Sequence, residues 1–234
     1  MKFGVVVFPG SNCDDDMVYV LQHILKQETV KLWHKDHDLQ GCDCVVLPGG
    51  FSYGDYLRTG AIARFSPIMD SIKAHADKGG FVLGICNGFQ ILAEAGLVEG
   101  VLLRNTNRKY VCKNIYLKPD NTQNSFTAKL DINKAYKIPI AHGEGRYYAK
   151  PDVLKKIIEN GQVLFRYCDE NGVVADAFNP NGSLDNIAGI CNANKNVFGM
   201  MPHPERAADT LLGNTDGHLL LQSFIQSMLN VKGN

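Results

Sequence analysis

Gly84-Ile85-Cys86-Asn87-Gly88 puts a cysteine where an apolar run ends and a helix-length segment begins. Glycines two residues to either side allow a sharp strand-to-helix turn that would expose the side chain, the cysteine form of a nucleophile elbow. The start of the following helix adds backbone N–H groups and positive potential, which favour negative charge at the sulfur. The competing reading is a small buried residue, as most cysteines are. Cys13, in Pro9-Gly10-Ser11-Asn12-Cys13-Asp14, also follows a strand-like run, but its neighbours are acidic and it lacks flanking glycines. It is the weaker nucleophile candidate.

A thiolate that attacks an acyl group needs a partner to protonate the leaving amine. Among seven histidines, His203 is the best placed, in Met201-Pro202-His203-Pro204-Glu205-Arg206 directly after an apolar run. Two prolines fix the backbone around it, and Glu205 can orient the imidazole and stabilise its cation, the third role in a triad. Alone, a histidine in such a turn is more often structural; with an elbow cysteine earlier in the chain it becomes the general acid. Pro48-Gly49-Gly50-Phe51-Ser52-Tyr53-Gly54-Asp55 offers glycine N–H groups that a substrate could approach. The Gly50 N–H together with that of Asn87 could bind an oxyanion. His34 and His37 lie amid charges and are read as solvated side chains; no metal site is expected.

These segments need a frame that brings them to one place. Phe3 to Phe8, Thr29 to Trp33, Asp43 to Leu47, Phe81 to Ile85 and Val197 to Met201 read as buried strands. Helices are expected from Asp14 toward Lys26, over Ala61 to Lys78, over Asn87 to Ala95 and over His218 to Leu229. The alternation predicts an α/β fold with a mostly parallel central sheet and helices on both faces. Tyr110 to Phe178 reads as antiparallel strands appended to it, with 118–134 a polar inserted loop. In such sheets ligands bind beyond the carboxyl ends of the strands, which is where all the candidate residues fall. With no linker or repeat, residues 1–234 are read as one domain.

Composition narrows the function. The 234 residues are 45% hydrophobic, and 24 basic residues balance 24 acidic ones. That balance gives no general attraction to nucleic acid or an anionic membrane. The first apolar run stops at Pro9-Gly10, a strand-to-turn signal rather than a leader, and no run reaches membrane-spanning length. Seven cysteines without a Cys-x-x-Cys pair suggest reduced thiols and a cytoplasmic setting.

Taken together, the Pro-Gly-Gly loop, Gly-x-Cys-x-Gly and a late His-Pro-Glu resemble the class I glutamine amidotransferases, whose glutaminase fold is flavodoxin-like. Further matching segments are Phe8 to Asp14, Gly50 to Arg58, Gly60 to Ala63, Pro139 to Arg146 and Met201 to Arg206. They point to the branch that supplies ammonia for purine biosynthesis. The resemblance implies glutamine hydrolysis through a Cys86 thioester, with Cys86, His203 and Glu205 as triad. It assigns Gly50 and Asn87 to the oxyanion hole and Gln90 and Phe51 to glutamine. It gives Arg58, His142, Glu144 and Arg146 to support of the site or to a partner. It implies no cofactor in this chain, which lacks a Gly-x-x-x-x-Gly-Lys-Ser/Thr loop. ATP and magnesium belong to a separate synthetase subunit, joined in some assemblies by a small bridging subunit. Two other readings remain: a different cysteine hydrolase on a flavodoxin-like fold, or a non-catalytic scaffold.

Overall fold

The computed structural model describes residues 1–232. Phe3, Gly4, Val5 and Val6 are all buried in strand β1 (Lys2–Val7), the signature of a strand covered on both faces. It pairs in parallel with β2 (Glu28–Trp33) and β3 (Cys44–Leu47), and β3 pairs in parallel with β4 (Phe81–Ile85). Strand β11 (Val197–Met200) closes this parallel block against β4.

The sheet does not stop there. Strands β10 (Ile187–Cys191), β9 (Val163–Cys168), β6 (Val111–Pro119) and β7 (Tyr136–His142) continue it, giving nine strands in the order β2-β1-β3-β4-β11-β10-β9-β6-β7. Only β10 and β6 are reversed, each antiparallel to both neighbours, so the other seven strands share one direction. The expected fold class holds, and the antiparallel strands prove to be the far half of one sheet. A separate pair, β5 (Val101–Leu103) and β8 (Arg146–Tyr148), forms a small antiparallel sheet. The shared direction matters for function: β1, β3, β4, β11 and β7 all end at the same edge.

Several expected elements are corrected. The single helix over Ala61 to Lys78 is broken: a short 3-10 turn (Ala63–Phe65) precedes α2 (Ile68–Asp77). Pro67 is the cause, since it holds Ser66 extended at φ −63°, ψ 140°. The helix from Asp14 is α1 (Asp14–Tyr19) followed by a π turn (Val20–Ile24). Helix α3 (Asn87–Glu94) is as expected, as is α5 (Asp216–Lys232) apart from its earlier start and later end. The region read as strands alone also contains α4 (Pro151–Glu159), with proline at its first turn where a missing N–H costs nothing. Strand β10 was not expected, because its Ile-Ala-Gly-Ile-Cys run has alanine and glycine at its centre and so lacks the β-branched and aromatic residues that mark the other buried strands.

The buried apolar side chains form one continuous cluster. Under the polar stretch 118–134, Phe126 is fully buried and packs on Phe165, Phe198 and Phe224. That segment is therefore pinned by its one aromatic residue; burying such a ring contributes roughly 1.5–3 kcal/mol. Among the described residues no helix is long and apolar enough to cross a membrane.

Candidate active site

The turn from β4 into α3 places Cys86 at φ 50°, ψ −104°, a backbone conformation that costs on the order of 1–3 kcal/mol and persists only when its surroundings fix it. They do. The Cys86 N–H donates to the Met200 carbonyl at 2.8 Å, and the Gln90 N–H donates to the Cys86 carbonyl at 3.1 Å. Gly88 permits the approach of α3 to β3, since a Cβ there would sit 1.9 Å from the Leu47 carbonyl oxygen. The thiol is 5% exposed and turned toward the Ala141 carbonyl, 3.7 Å away at the end of β7.

His203 follows β11, and its N–H donates to the Pro139 carbonyl of β7 at 2.9 Å, locking the turn to the sheet edge. Its Nδ1 lies 2.7 Å from Glu205 Oε1, with both side chains almost fully buried. Burial disfavours the imidazolium. The Glu205 carboxylate and the Cys86 sulfur, with the neighbouring Cys13 sulfur, more than reverse this and hold the His203 pKa well above its ordinary value. The other ring nitrogen, Nε2, is buried and unpartnered, as a nitrogen reserved for a reacting proton would be. Glu205 and His203 thus behave as one charged unit beside the thiol.

Cys13 adjoins this unit. Its Sγ and ligand atoms of His203 and Glu205 lie within 4.8 Å of one another, the one such metal-type trio among the described residues. Arg206 Nη2 donates to Cys13 Sγ at 3.0 Å, which gives that sulfur a fixed cationic partner. Gly49 leaves room for the ring, because a Cβ would come 2.6 Å from His203 Cε1.

The loop after β3 supplies Gly50 at φ +142°, a conformation that favours glycine. Asn87 is the first residue of α3, where N–H groups have no partner within the helix. Its side chain ties the loop to the elbow: Oδ1 accepts from the Ser52 N–H at 3.1 Å, and Nδ2 donates to Gln90 Oε1 at 3.0 Å. Gln90 Nε2 in turn donates to the Glu144 carbonyl at 2.6 Å.

A cavity of about 260 Å³ opens over the sulfur, and Gly50, Phe51, Gln90, His142 and Glu144 line it together with Cys86. Phe51 stacks on Tyr110 at its mouth, ring centroids 6.5 Å apart. His142 is buried, its Nδ1 3.2 Å from Asn105 Oδ1, and desolvation with the nearby His203 charge lowers its pKa to about 4. Five predicted residues do not line the cavity: Asn87, His203 and Glu205, described above, and Arg58 and Arg146. Arg58 is exposed and bound through two nitrogens to Glu94, at 2.7 and 2.6 Å. Arg146 belongs to β8. His37 is exposed, but His34 is buried, accepting or donating to Tyr53 Oη at 2.8 Å; its expected solvation is wrong because Tyr53 and Ser66 supply partners inside.

Sequence reasoning missed Asp55, Thr59, Arg104, Arg108, Lys109 and Tyr110 on the cavity wall. Asp55 carried a signal in its Gly-Asp turn; the 104–110 arm reads as an ordinary charged loop.

Comparison with known proteins places these features in a family. The model of the CobB/CobQ-like glutamine amidotransferase domain matches residues 1–219. Phosphoribosylformylglycinamidine synthase subunit PurQ of Gloeobacter violaceus is 54% identical over 231 residues, covering 99% of this chain and all of the relative. The PurQ subunit of Moorella thermoacetica is 55% identical over 225 residues, covering 96% of this chain and 95% of the relative. Among solved structures, PurLQS from Thermotoga maritima aligns with a TM-score of 0.83 and 42% identity, over 98% of each chain.

Proposed function

The chain belongs to the CobB/CobQ-like glutamine amidotransferase family, and from that premise we propose that it is the glutaminase subunit of phosphoribosylformylglycinamidine synthase. The observation that carries the reading is a strained elbow cysteine beside a buried His203–Glu205 pair, in a chain matched end to end by such subunits.

The chemistry follows from the geometry. Cys86 Sγ attacks the side-chain amide carbon of glutamine, its proton having passed to His203. The carbonyl oxygen gains negative charge and is held by the N–H groups of Gly50 and Asn87. The C–N bond then breaks as His203 protonates the departing nitrogen, giving ammonia and a thioester. Water, deprotonated by His203, cleaves the thioester to glutamate and restores the thiol. Glu205 keeps the imidazole oriented and offsets its charge throughout. Gln90 and Phe51 position the substrate.

Ammonia passes to a synthetase subunit, where ATP and magnesium serve the amidation of formylglycinamide ribonucleotide to formylglycinamidine ribonucleotide. With a small bridging subunit in some assemblies, the complex works in the cytoplasm. A scaffold or an unrelated cysteine hydrolase has no use for Gln90 tied to the elbow by Asn87.

The test uses the reconstituted complex. Cys86→Ala should abolish glutamine-dependent synthesis and leave synthesis from added ammonia intact. Loss of both activities would make Cys86 structural and remove the basis of the reading.

A further inference from the structure

A second cavity, of about 610 Å³, lies at the sheet edge opposite the triad, where β4 begins with Phe81 rather than where it ends beside Cys86. Its size is within the roughly 300–1,000 Å³ usual for small-molecule sites. The end of α2, the helix α5, the turn between β10 and β11, and the polar stretch 118–134 build its wall. The wall is held in place before anything binds. Asn124 Oδ1 accepts from the Phe126 and Thr127 N–H groups at 2.9 and 3.0 Å. Ser223 Oγ, on α5, accepts from the Lys129 N–H at 3.2 Å and donates to the Phe126 carbonyl at 3.0 Å. On the turn, Asn196 Nδ2 donates to the Ala76 and Gly80 carbonyls, both at 2.8 Å.

Ser227 stands one helical turn beyond Ser223, on the same face of α5. It is 5% exposed and lines the cavity, and its Oγ has no partner. Ser223 commits its hydroxyl to the fold, whereas Ser227 keeps a buried hydroxyl unbonded, a costly arrangement unless a ligand group completes it. The charges point the same way. Lys129 and Lys195 share the wall with one acid, Asp77, and none of the three makes an ion pair among the described residues. Lys195 Nζ reaches only the Gln123 carbonyl, at 3.4 Å. The wall is thus short of negative charge, and lysine holds a phosphate as a point charge.

The remaining lining favours hydroxyl groups over an aromatic base. Thr122, Asn194 and Asn230 offer side-chain donors and acceptors that no described residue uses. Phe81 is the one aromatic side chain on the wall, and it is 6% exposed, stacked on Phe198 and met edge-on by Phe224. It leaves no open face on which a base could stack. We propose that this cavity is a binding site for a small sugar phosphate, with Lys129 and Lys195 on the phosphate and the Ser227 hydroxyl on the sugar. The site is separate from the glutamine chemistry and does not depend on it.

The test is calorimetric titration of the full chain with ribose 5-phosphate and glucose 6-phosphate, beside inorganic phosphate, ribose and adenosine 5′-monophosphate. One of the two sugar phosphates should bind saturably at one site, at least about tenfold tighter than phosphate or ribose alone. The adenosine nucleotide should bind no tighter than that sugar phosphate. Lys129→Gln and Lys195→Gln, both at the surface, should each weaken binding about tenfold. Ser227→Ala should also weaken it while leaving the melting temperature of the empty protein unchanged or raised, because the hydroxyl it removes has no partner there. Absence of saturable binding by either sugar phosphate, or full binding in the double lysine variant, would overturn the site. So would a Ser227→Ala protein that melts lower yet binds normally, since the hydroxyl would then be structural. Tighter binding of the nucleotide by tenfold or more would overturn the assignment to a sugar phosphate.

Discussion

Two turns at the same sheet edge hold non-glycine residues at positive φ, and they are built in opposite ways. At the elbow, Cys86 at φ 50° is 5% exposed and clamped by hydrogen bonds to β11 and α3. In the loop after β3, Tyr53, Asp55 and Leu57 have φ 54°, 55° and 71°. The start of that loop is anchored, with the Tyr53 N–H on the Pro9 carbonyl at 2.6 Å and the Ser52 N–H on Asn87. Its far end is not: Tyr56 is 74% exposed and Leu57 92%. Strain at the nucleophile is enforced by packing, whereas strain at Leu57 has little to enforce it. The elbow is the fixed reference of the site, and the loop tip is its adjustable margin.

The predictions probe this contrast. Glu205→Gln removes the charge that stabilises imidazolium on the rigid side. It should lower glutamine-dependent kcat about 10²- to 10⁴-fold in steady-state assays of the complex. Gly88→Ala forces a Cβ against the Leu47 carbonyl and should destabilise the fold by about 3 kcal/mol or more, read from the denaturant midpoint. A mild effect there would mean the elbow is not clamped.

His142 gives a pH test of the wall between the two turns. Its folded pKa is lowered from 6.5 to about 4 because it is buried as the neutral ring. The unfolded chain therefore binds more protons between those values, and stability is present above pH 6.5 and lost as pH falls toward 4. The loss from this one group is roughly 3 kcal/mol, and His142→Gln should flatten that part of the profile. The smallest effect belongs to the loop: Leu57→Gly relieves αL strain at the exposed tip. It should raise stability by up to about 1 kcal/mol, net of the added unfolded-state entropy.

The same contrast explains what the sequence disclosed. The elbow was legible because its geometry demands particular residues: glycines at 84 and 88, a buried strand before, a helix after. His203 and Glu205 were legible from two prolines and a two-residue spacing. The parallel half of the sheet showed in its continuous apolar runs. By contrast, β10 and α4 were hidden: the first has alanine and glycine at its centre, and the second sits among strand-like runs. The 104–110 arm was hidden too, because charged loop residues become a wall only once β3, β6 and β7 bring them over one sulfur. Phe126, a single aromatic in a polar stretch, decided that 118–134 is anchored, and no spacing rule marks such a residue.

The central claim is that the strained Cys86 is the nucleophile for glutamine. Its most direct test is labelling with the diazo-ketone analogue of glutamine, diazo-oxo-norleucine, in the presence of the synthetase subunit, followed by peptide mass mapping. The account predicts one adduct, on Cys86, prevented by glutamine. An adduct on Cys13 or another cysteine, or none at all, would contradict it.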